Sequence, residues 1–233
     1  MIHPESALSE QLLLPLTATP QLRLANLPAA TFTEVRAALA QCRLGTMEQL
    51  YIWGEAGSGR SLLLQSFCAE AADAILLPMR QVVFMPPEML EGLESNAFVV
   101  LDDIDAIVGW PAWEEALFNL YNRLRASGGR LLVSATLAPQ ALNLGLPDLA
   151  SRLASMAVYR LPAPDDALRE QFLQQAVEQR SWTLEPEVSR YLLERGPRRL
   201  GSFLQLIERV DAAALREQRA LTVPLVRSVL ELA

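Results

Sequence analysis

A glycine-rich segment at residues 54–61, with the sequence GEAGSGRS, has the residue types and spacing needed to bind phosphate groups. Its glycines let successive backbone N–H groups curl around phosphate oxygens, and a helix beginning there adds the positive end of its dipole. The spacing matches the phosphate loop of nucleotide-binding proteins, which follows a strand and opens a helix. The nucleotide-binding residues predicted from this pattern are Gly54, Glu55, Ala56, Gly57, Ser58, Gly59, Arg60, Ser61 and Leu62.

Arg60 stands at the position where this loop ordinarily carries lysine. A lysine ammonium is a compact charge that reaches between the β- and γ-phosphates, whereas the planar guanidinium is bulkier and prefers paired oxygens. All 20 basic residues of the chain are arginine, so compositional drift also accounts for the exchange. We expect nucleotide binding to survive and hydrolysis to be slow, with ADP bound in preference to ATP. Ordinary ATPase activity with an unusual residue is the alternative.

Two carboxylates, Asp102 and Asp103, follow the apolar run FVVL downstream of the loop. Open α/β sheets bind ligands at the carboxyl ends of their strands, so the position suits the chemistry. Asp102 would hold Mg²⁺ through water, with the Ser61 hydroxyl as a second ligand, and Asp103 would orient an attacking water. Asp105 is either a third acid of this site or a solvated turn residue.

The surrounding pattern predicts the elements that would position these groups. Short apolar runs near residues 50–53, 74–77, 97–101, 131–133 and 157–159 alternate with helical patterns. Such alternation predicts an α/β fold of three layers with a parallel-sheet core. From Asp165 onward only helical patterns occur, at about residues 166–180, 186–195, 199–218 and 223–232. We predict a flexible tail at residues 1–20, a nucleotide-binding α/β domain at 21–163 and a helical lid domain at 164–233.

Composition excludes several classes of protein. The 27 acidic and 20 basic residues leave a net charge of −7, which argues against strong direct DNA binding through phosphate contacts. Two distant cysteines and a single histidine exclude a structural zinc site and disfavour a disulfide framework. The start of the chain lacks the basic region of a signal peptide, and no apolar run approaches the ~18 residues of a membrane span. A cytoplasmic protein without a membrane partner is expected.

Several segments resemble the DnaA-related AAA+ family. Asp102-Asp103-Ile104 after an apolar strand is similar to these proteins, which carry Asp where many relatives carry Glu. The segments LGLPDLASRL at residues 144–153, FNLYNR at 118–123 and LTVP at 221–224 carry the same resemblance, which extends from about residue 11 to the end. It implies the AAA+ P-loop fold with a carboxy-terminal helical lid.

The resemblance also assigns roles to two arginines. Arg152 matches the family's arginine finger, a catalytic group that reaches the nucleotide of a neighbouring subunit. Arg198 matches the sensor 2 arginine of the lid, which would contact the bound nucleotide, and Ser134 and Thr136 lie near the sensor 1 position. Read from the residues alone, Arg152 is more readily a surface arginine of a helix, and Arg198 one that solvates a helix start.

The hexapeptide QLLLPL at residues 11–16 resembles the motif with which bacterial proteins dock on the sliding clamp, the β subunit of DNA polymerase III. An extended peptide of this kind binds by a polar contact at one end and apolar side chains in a pocket. The predicted clamp-binding residues are Gln11, Leu12, Leu14 and Leu16.

Together these features imply a DNA replication inhibitor rather than a motor. A regulator of this family would bind ADP, dock on the DNA-loaded clamp and present Arg152 to ATP-bound DnaA, whose ATP is then hydrolysed. Two alternatives stay open: an active AAA+ ATPase such as a helicase loader, and an adaptor that binds nucleotide for stability and only tethers DnaA. The sequence leaves the oligomeric state, including a homo-oligomer, undecided.

Overall fold

The structure, a computed structural model, describes residues 29–163 and 165–231, so the predicted clamp motif lies outside the described residues. Five strands form one sheet in the order β2-β3-β4-β1-β5, and every pairing is parallel. The strands are β1 (Gln49–Trp53), β2 (Ala74–Pro78), β3 (Phe98–Asp102), β4 (Arg130–Ala135) and β5 (Ala157–Arg160). The predicted α/β fold with a parallel-sheet core is thereby confirmed.

Helices cover both faces of the sheet, because the central strands are apolar on both sides. Val100 of β3 packs in one apolar cluster with residues of α1 (Ala29–Leu44) and α2 (Arg60–Glu70). Its neighbour Val99 packs in a second cluster with residues of α4 (Pro111–Ser127) and α5 (Pro147–Ala154). The short helix α3 (Met79–Val82), which follows β2 directly, was not predicted from the sequence.

Four helices follow the sheet: α6 (Asp166–Arg180), α7 (Pro186–Arg195), α8 (Leu200–Glu217) and α9 (Val223–Glu231). The side chain of Asp165 caps α6 by accepting a hydrogen bond from the Leu168 N–H at 2.7 Å. The apolar residues of these helices join the cluster that contains α1 and α2, and the rings of Phe32 and Phe172 meet edge to face at 6.2 Å. One continuous core therefore connects the lid to the sheet. Within the described ranges, no helix combines the length and hydropathy required to cross a bilayer.

Candidate nucleotide-binding site

The phosphate loop lies between β1 and α2, the context that its sequence predicts. Gly57 and Gly59 have φ angles of 92° and 94°, a left-handed conformation that residues with a Cβ rarely adopt. The hydroxyl of Ser58 is buried and has no partner among the described residues. A buried hydroxyl without a partner is costly, and a phosphate oxygen held by the loop would supply one. The local geometry therefore fits a bound phosphate.

The side chain of Arg60 is only 7% exposed, and its guanidinium bridges the loop and the acidic strand end. One terminal nitrogen donates to the carbonyl of Gly54, and the other donates to Asp103 Oδ1 at 2.7 Å. Its Nε is buried without a partner among the described residues. The residue that replaces lysine is thus in direct contact with the acid expected to orient water.

Asp102, at the end of β3, is a buried carboxylate held by two hydroxyls. The Ser134 hydroxyl donates to its Oδ1, and Ser61 forms a second side-chain hydrogen bond with it. Burial raises the pKa of Asp102, although the hydrogen bonds from Ser134 and Ser61 act to lower it. The Ser134 hydroxyl also accepts from the Asp103 N–H at 2.9 Å, so one buried serine orients both acids.

A second arginine, Arg80 of α3, contacts the same acids. Its Nε donates to Asp103 Oδ2 at 2.8 Å, and its Nη2 donates to Asp105 Oδ2 at 2.6 Å. The hydrogen bond to Asp103 is the largest of the effects that raise the pKa of Arg80. Asp105 also accepts from the Thr136 N–H at 3.1 Å, so it belongs to this network rather than to a solvated turn. Sequence reasoning missed Arg80, whose one signal was its place just after a predicted strand.

These groups surround a cleft of about 650 Å³ between the phosphate loop and the start of α8. The Leu200 N–H donates to the Gly57 carbonyl at 3.3 Å and so connects the lid to the loop directly. The lining residues outside the loop are Gln65, Arg80, Asp103, Thr136, Arg199, Gly201, Ser202 and Gln205. The lid helix α8 thus supplies one wall of the cleft.

The two neighbouring arginines before α8 differ in position. Arg199 lines the cleft, and its Cγ would lie 3.1 Å from a Cβ on Gly57. Arg198, the predicted sensor 2 residue, is not among the lining residues in the described part of the chain. Its charge instead acts on Asp166 at the start of α6. The pKa of that carboxyl is lowered mainly by its hydrogen bond with Arg169, and the charge of Arg198 lowers it further. The role predicted for Arg198 stays a prediction, with Arg199 as the arginine that faces the cleft.

The residues present fit Mg²⁺ as well as a nucleotide phosphate. Ser61 and Asp102 bring two oxygens together beside the loop, and oxygen ligands are those that Mg²⁺ prefers. In residues 29–163 and 165–231, no group of three or more His, Cys, Asp and Glu side chains could hold a metal ion alone. Water and phosphate oxygens would therefore complete the coordination.

The predicted finger residue, Arg152, lies on α5 rather than at this cleft. Leu149 and Leu153 of the same helix are fully buried and anchor it on the sheet. The Arg152 guanidinium is partly exposed and lies 5.8 Å from the centre of the Tyr121 ring on α4. The cleft-lining residues that the structure describes do not include Arg152. The role predicted for Arg152 stays a prediction.

Two segments of the chain match known families. Residues 166–230 match the lid domain of Hda, which coincides with the four helices α6 to α9. Residues 50–126 match a family described as RNA helicase, and this segment carries the phosphate loop and the acidic strand end. The second match reflects the phosphate-binding core.

Solved structures show the same fold over most of the chain. Domain III of the replication initiation protein DnaA from Thermotoga maritima superposes with a TM-score of 0.72 and 19% identity, covering 91% of this chain and 96% of that one. AMPPCP-bound DnaA from Aquifex aeolicus superposes with a TM-score of 0.68 and 19% identity, covering 84% of this chain and 67% of that one. The RuvB branch migration motor of Thermotoga maritima superposes with a TM-score of 0.61 and 15% identity, covering 87% of this chain and 68% of that one.

Proposed function

Because the chain is an AAA+ protein related to Hda and DnaA, we propose that it is a negative regulator of replication initiation that stimulates the hydrolysis of DnaA-bound ATP. The observation that carries the proposal is the position of Arg152. It lies partly exposed on a helix anchored by two buried leucines, away from the residues that line the chain's own cleft. An arginine supplied in trans stabilises the charge that develops on the phosphoryl group and accelerates its transfer by ~10³–10⁵.

The chain's own site would hold ADP and turn over slowly. Both carboxylate oxygens of Asp103 are already paired with arginines, one with Arg60 and one with Arg80. A carboxylate in two such pairs is poorly placed to accept a proton from, or orient, an attacking water. Mg²⁺, when bound beside Ser61 and Asp102, would neutralise phosphate charge. Arg60, Arg199 and the loop N–H groups would hold the phosphates, with Arg198 as the family's candidate for the same task.

Docking on the sliding clamp would bring the regulator to replicated DNA. The hexapeptide at residues 11–16 is the segment that a peptide pocket on the clamp would take in this proposal. In this scheme DnaA supplies the nucleotide that is hydrolysed, the clamp supplies the location, and this chain supplies one arginine.

Two other functions each have one observation in their favour. An active ATPase is favoured by the close approach of Ser61, Asp102 and Ser134, which is the arrangement that Mg²⁺-dependent hydrolysis needs. An adaptor that only tethers DnaA is favoured by the contact of Arg152 with the Tyr121 ring, since a guanidinium stacked on an aromatic ring can serve packing alone.

The substitution Arg152→Ala tests the proposal. We expect stimulated hydrolysis of DnaA-bound ATP, measured as labelled phosphate release on clamp-loaded DNA, to fall by at least ~100-fold. ADP affinity and clamp binding should be unchanged, because Arg152 is not among the described residues that line the cleft and is not part of the predicted clamp motif at residues 11–16. Loss of the ring contact should cost only about 0.5–1 kcal/mol in the free energy of unfolding. Arg216→Ala, which removes an exposed arginine of the lid, is the matched control.

Each alternative predicts a different result. Normal stimulation by the Arg152→Ala protein would show that the chain is a tether and reject the finger. A parallel loss of stability, ADP binding and stimulation would assign Arg152 to packing. Steady-state phosphate release by the isolated protein at ordinary AAA+ rates, about 1 s⁻¹ or above, would instead support the active ATPase.

A further inference from the structure

Glu114 is a buried carboxylate that neither the phosphate cleft nor the apolar core explains. Its side chain lies on α4, where Glu114 is 1% exposed among core residues. No salt bridge to Glu114 occurs among the residues that the structure describes. A buried carboxylate without a cation is costly unless hydrogen bonds compensate it, so its partners indicate what it does.

Both partners of Glu114 are backbone N–H groups of loops. Oε2 accepts from the Leu146 N–H at 2.8 Å, and Oε1 accepts from the Gly109 N–H at 3.2 Å. Leu146 is the residue that precedes α5, so the carboxylate holds the start of that helix and lies near the positive end of its dipole. Gly109 lies in the loop between β3, which carries the acids of the cleft, and α4. One side chain therefore ties α5 to α4 and to the acidic strand end.

The other end of α5 meets the same face of α4. Tyr121 lies about two turns beyond Glu114 and so projects from the same side of the helix. Its ring is buried and lies under the Arg152 guanidinium at 5.8 Å. Glu114 thus sets the start of α5, and Tyr121 supports the arginine near its end.

We propose that Glu114 and Tyr121 are positioning residues for Arg152, which together fix the direction in which α5 presents its guanidinium to the partner's nucleotide. This inference rests on the proposed function. A finger acts through the geometry of the transition state, and a displacement of about 1 Å can cost ~10²-fold in rate. A hydrogen-bonded carboxylate at one end and a rigid ring at the other restrict such displacements better than apolar contacts with Leu149 and Leu153 alone.

Glu114→Gln is the first test, because an amide of the same shape can accept from only one of the two N–H groups and opposes the other with its own donors. We expect the maximal rate of stimulated hydrolysis to fall about 10-fold or more. The concentration of the protein at half-maximal stimulation and its ADP affinity should not change. Hydrogen exchange resolved by residue should show faster exchange of the Leu146 and Gly109 amides. Glu115→Gln, the same charge change at an exposed neighbour, should behave as the unmodified protein.

The second test compares Tyr121→Phe with Tyr121→Leu. It keeps the proposal testable if the Glu114→Gln protein fails to fold. Phenylalanine keeps the ring face and should leave stimulation unchanged, whereas leucine removes it and should lower the maximal rate alone. Unchanged rates in both Glu114→Gln and Tyr121→Leu would overturn the proposal, as would an equal fall in ADP affinity and rate, which indicates general damage. If Arg152→Ala is inactive while these variants are normal, positioning fails and the proposed function stands. If the Arg152→Ala protein stimulates hydrolysis normally, the positioning proposal and the proposed function both fail.

Discussion

A buried carboxylate beside the cleft has a chemistry that opposes the stability of the fold. Asp102 is buried, and burial raises the pKa of its carboxyl even though Ser134 and Ser61 donate hydrogen bonds to it. Its ionised form is therefore less favourable in the folded chain than in the unfolded one. The proposed Mg²⁺ binding would require that same ionised form, so a bound cation would offset the cost that the carboxylate brings to the free protein.

Asp102→Asn should therefore stabilise the free protein at neutral pH. A raised pKa means that the folded state binds the proton more tightly, so stability is lost as the pH rises through the folded pKa. Below the ordinary carboxyl pKa of about 4 the proton is bound in both states and the loss vanishes. The amide cannot ionise, so the melting temperature should exceed that of the unmodified protein at pH 7–8 and the two should converge on acidification.

Thermal melts between pH 4.5 and 8, without nucleotide or Mg²⁺, measure this difference, and Mg²⁺-dependent ADP binding should be lost in the same variant. Glu91→Gln, which removes an exposed carboxylate, should show no such trend. A pH-independent difference between the melts would contradict the assignment of a raised pKa to Asp102.

At the scale of elements, the contact between α8 and the phosphate loop makes the nucleotide cleft. The Leu200 N–H reaches the Gly57 carbonyl, and Arg199 packs directly against Gly57. The loop must therefore lack a side chain at this point for two reasons. Its φ of 92° disfavours a Cβ, and Arg199 leaves little space for one.

Gly57→Ala tests whether this approach matters to binding. A Cβ would lie 3.3 Å from Arg199 Cα and 3.1 Å from its Cγ, so the start of the lid helix must shift by a few tenths of an ångström. Gly92→Ala is the matched control, because Gly92 has a φ of 78° and nothing within 4 Å of the added Cβ. Both variants should lose about 1–2 kcal/mol of unfolding free energy to backbone strain. Only Gly57→Ala should also weaken ADP binding, by about tenfold, in a calorimetric titration. Equal affinities in the two variants would contradict the prediction.

At the scale of the whole molecule, one apolar cluster runs from α1 and α2 through the four lid helices. The lid is therefore held to the sheet by core packing as well as by the contact at the phosphate loop. Arg152 lies with the second cluster, on the opposite face of the sheet, where α4 and α5 pack. The cleft lies at the carboxyl ends of the strands, so the proposed nucleotide binding and the proposed action on a partner use different parts of the molecule.

The clamp motif can be tested separately from the cleft and from Arg152. A protein with Gln11, Leu14 and Leu16 all changed to Ala should lose clamp binding in a pull-down, since the polar end and the apolar anchors are removed together. Its melting temperature should not change, because the motif precedes both predicted domains. Changing Gln21, Leu22 and Leu24 to Ala replaces the same residue types just beyond the predicted tail and should leave clamp binding intact. Retention of the clamp by the first variant would remove the docking assignment.

The sequence alone determined the features that depend on neighbouring residues. The glycine-rich loop between a strand and a helix and the two acids after an apolar run are local patterns, and each occurs where it was predicted. The alternation of strands and helices predicted the parallel sheet, because residues buried on both sides leave an apolar run in the sequence. Strand limits differ by one or two residues, since the ends of an apolar run do not record where hydrogen bonding stops.

Only the tertiary structure decided which distant side chains meet. Arg80 and Asp103 become partners because β2 and β3 are adjacent and end at one edge of the sheet. Arg199, the residue directly before α8, lines the cleft, whereas Arg198 is not among the described lining residues. The capping of α5 by Glu114 likewise depends on the packing of two helices and leaves no periodic trace. Such contacts arise from strand order and helix packing, which join residues far apart in the chain, whereas a sequence pattern reports only the near ones.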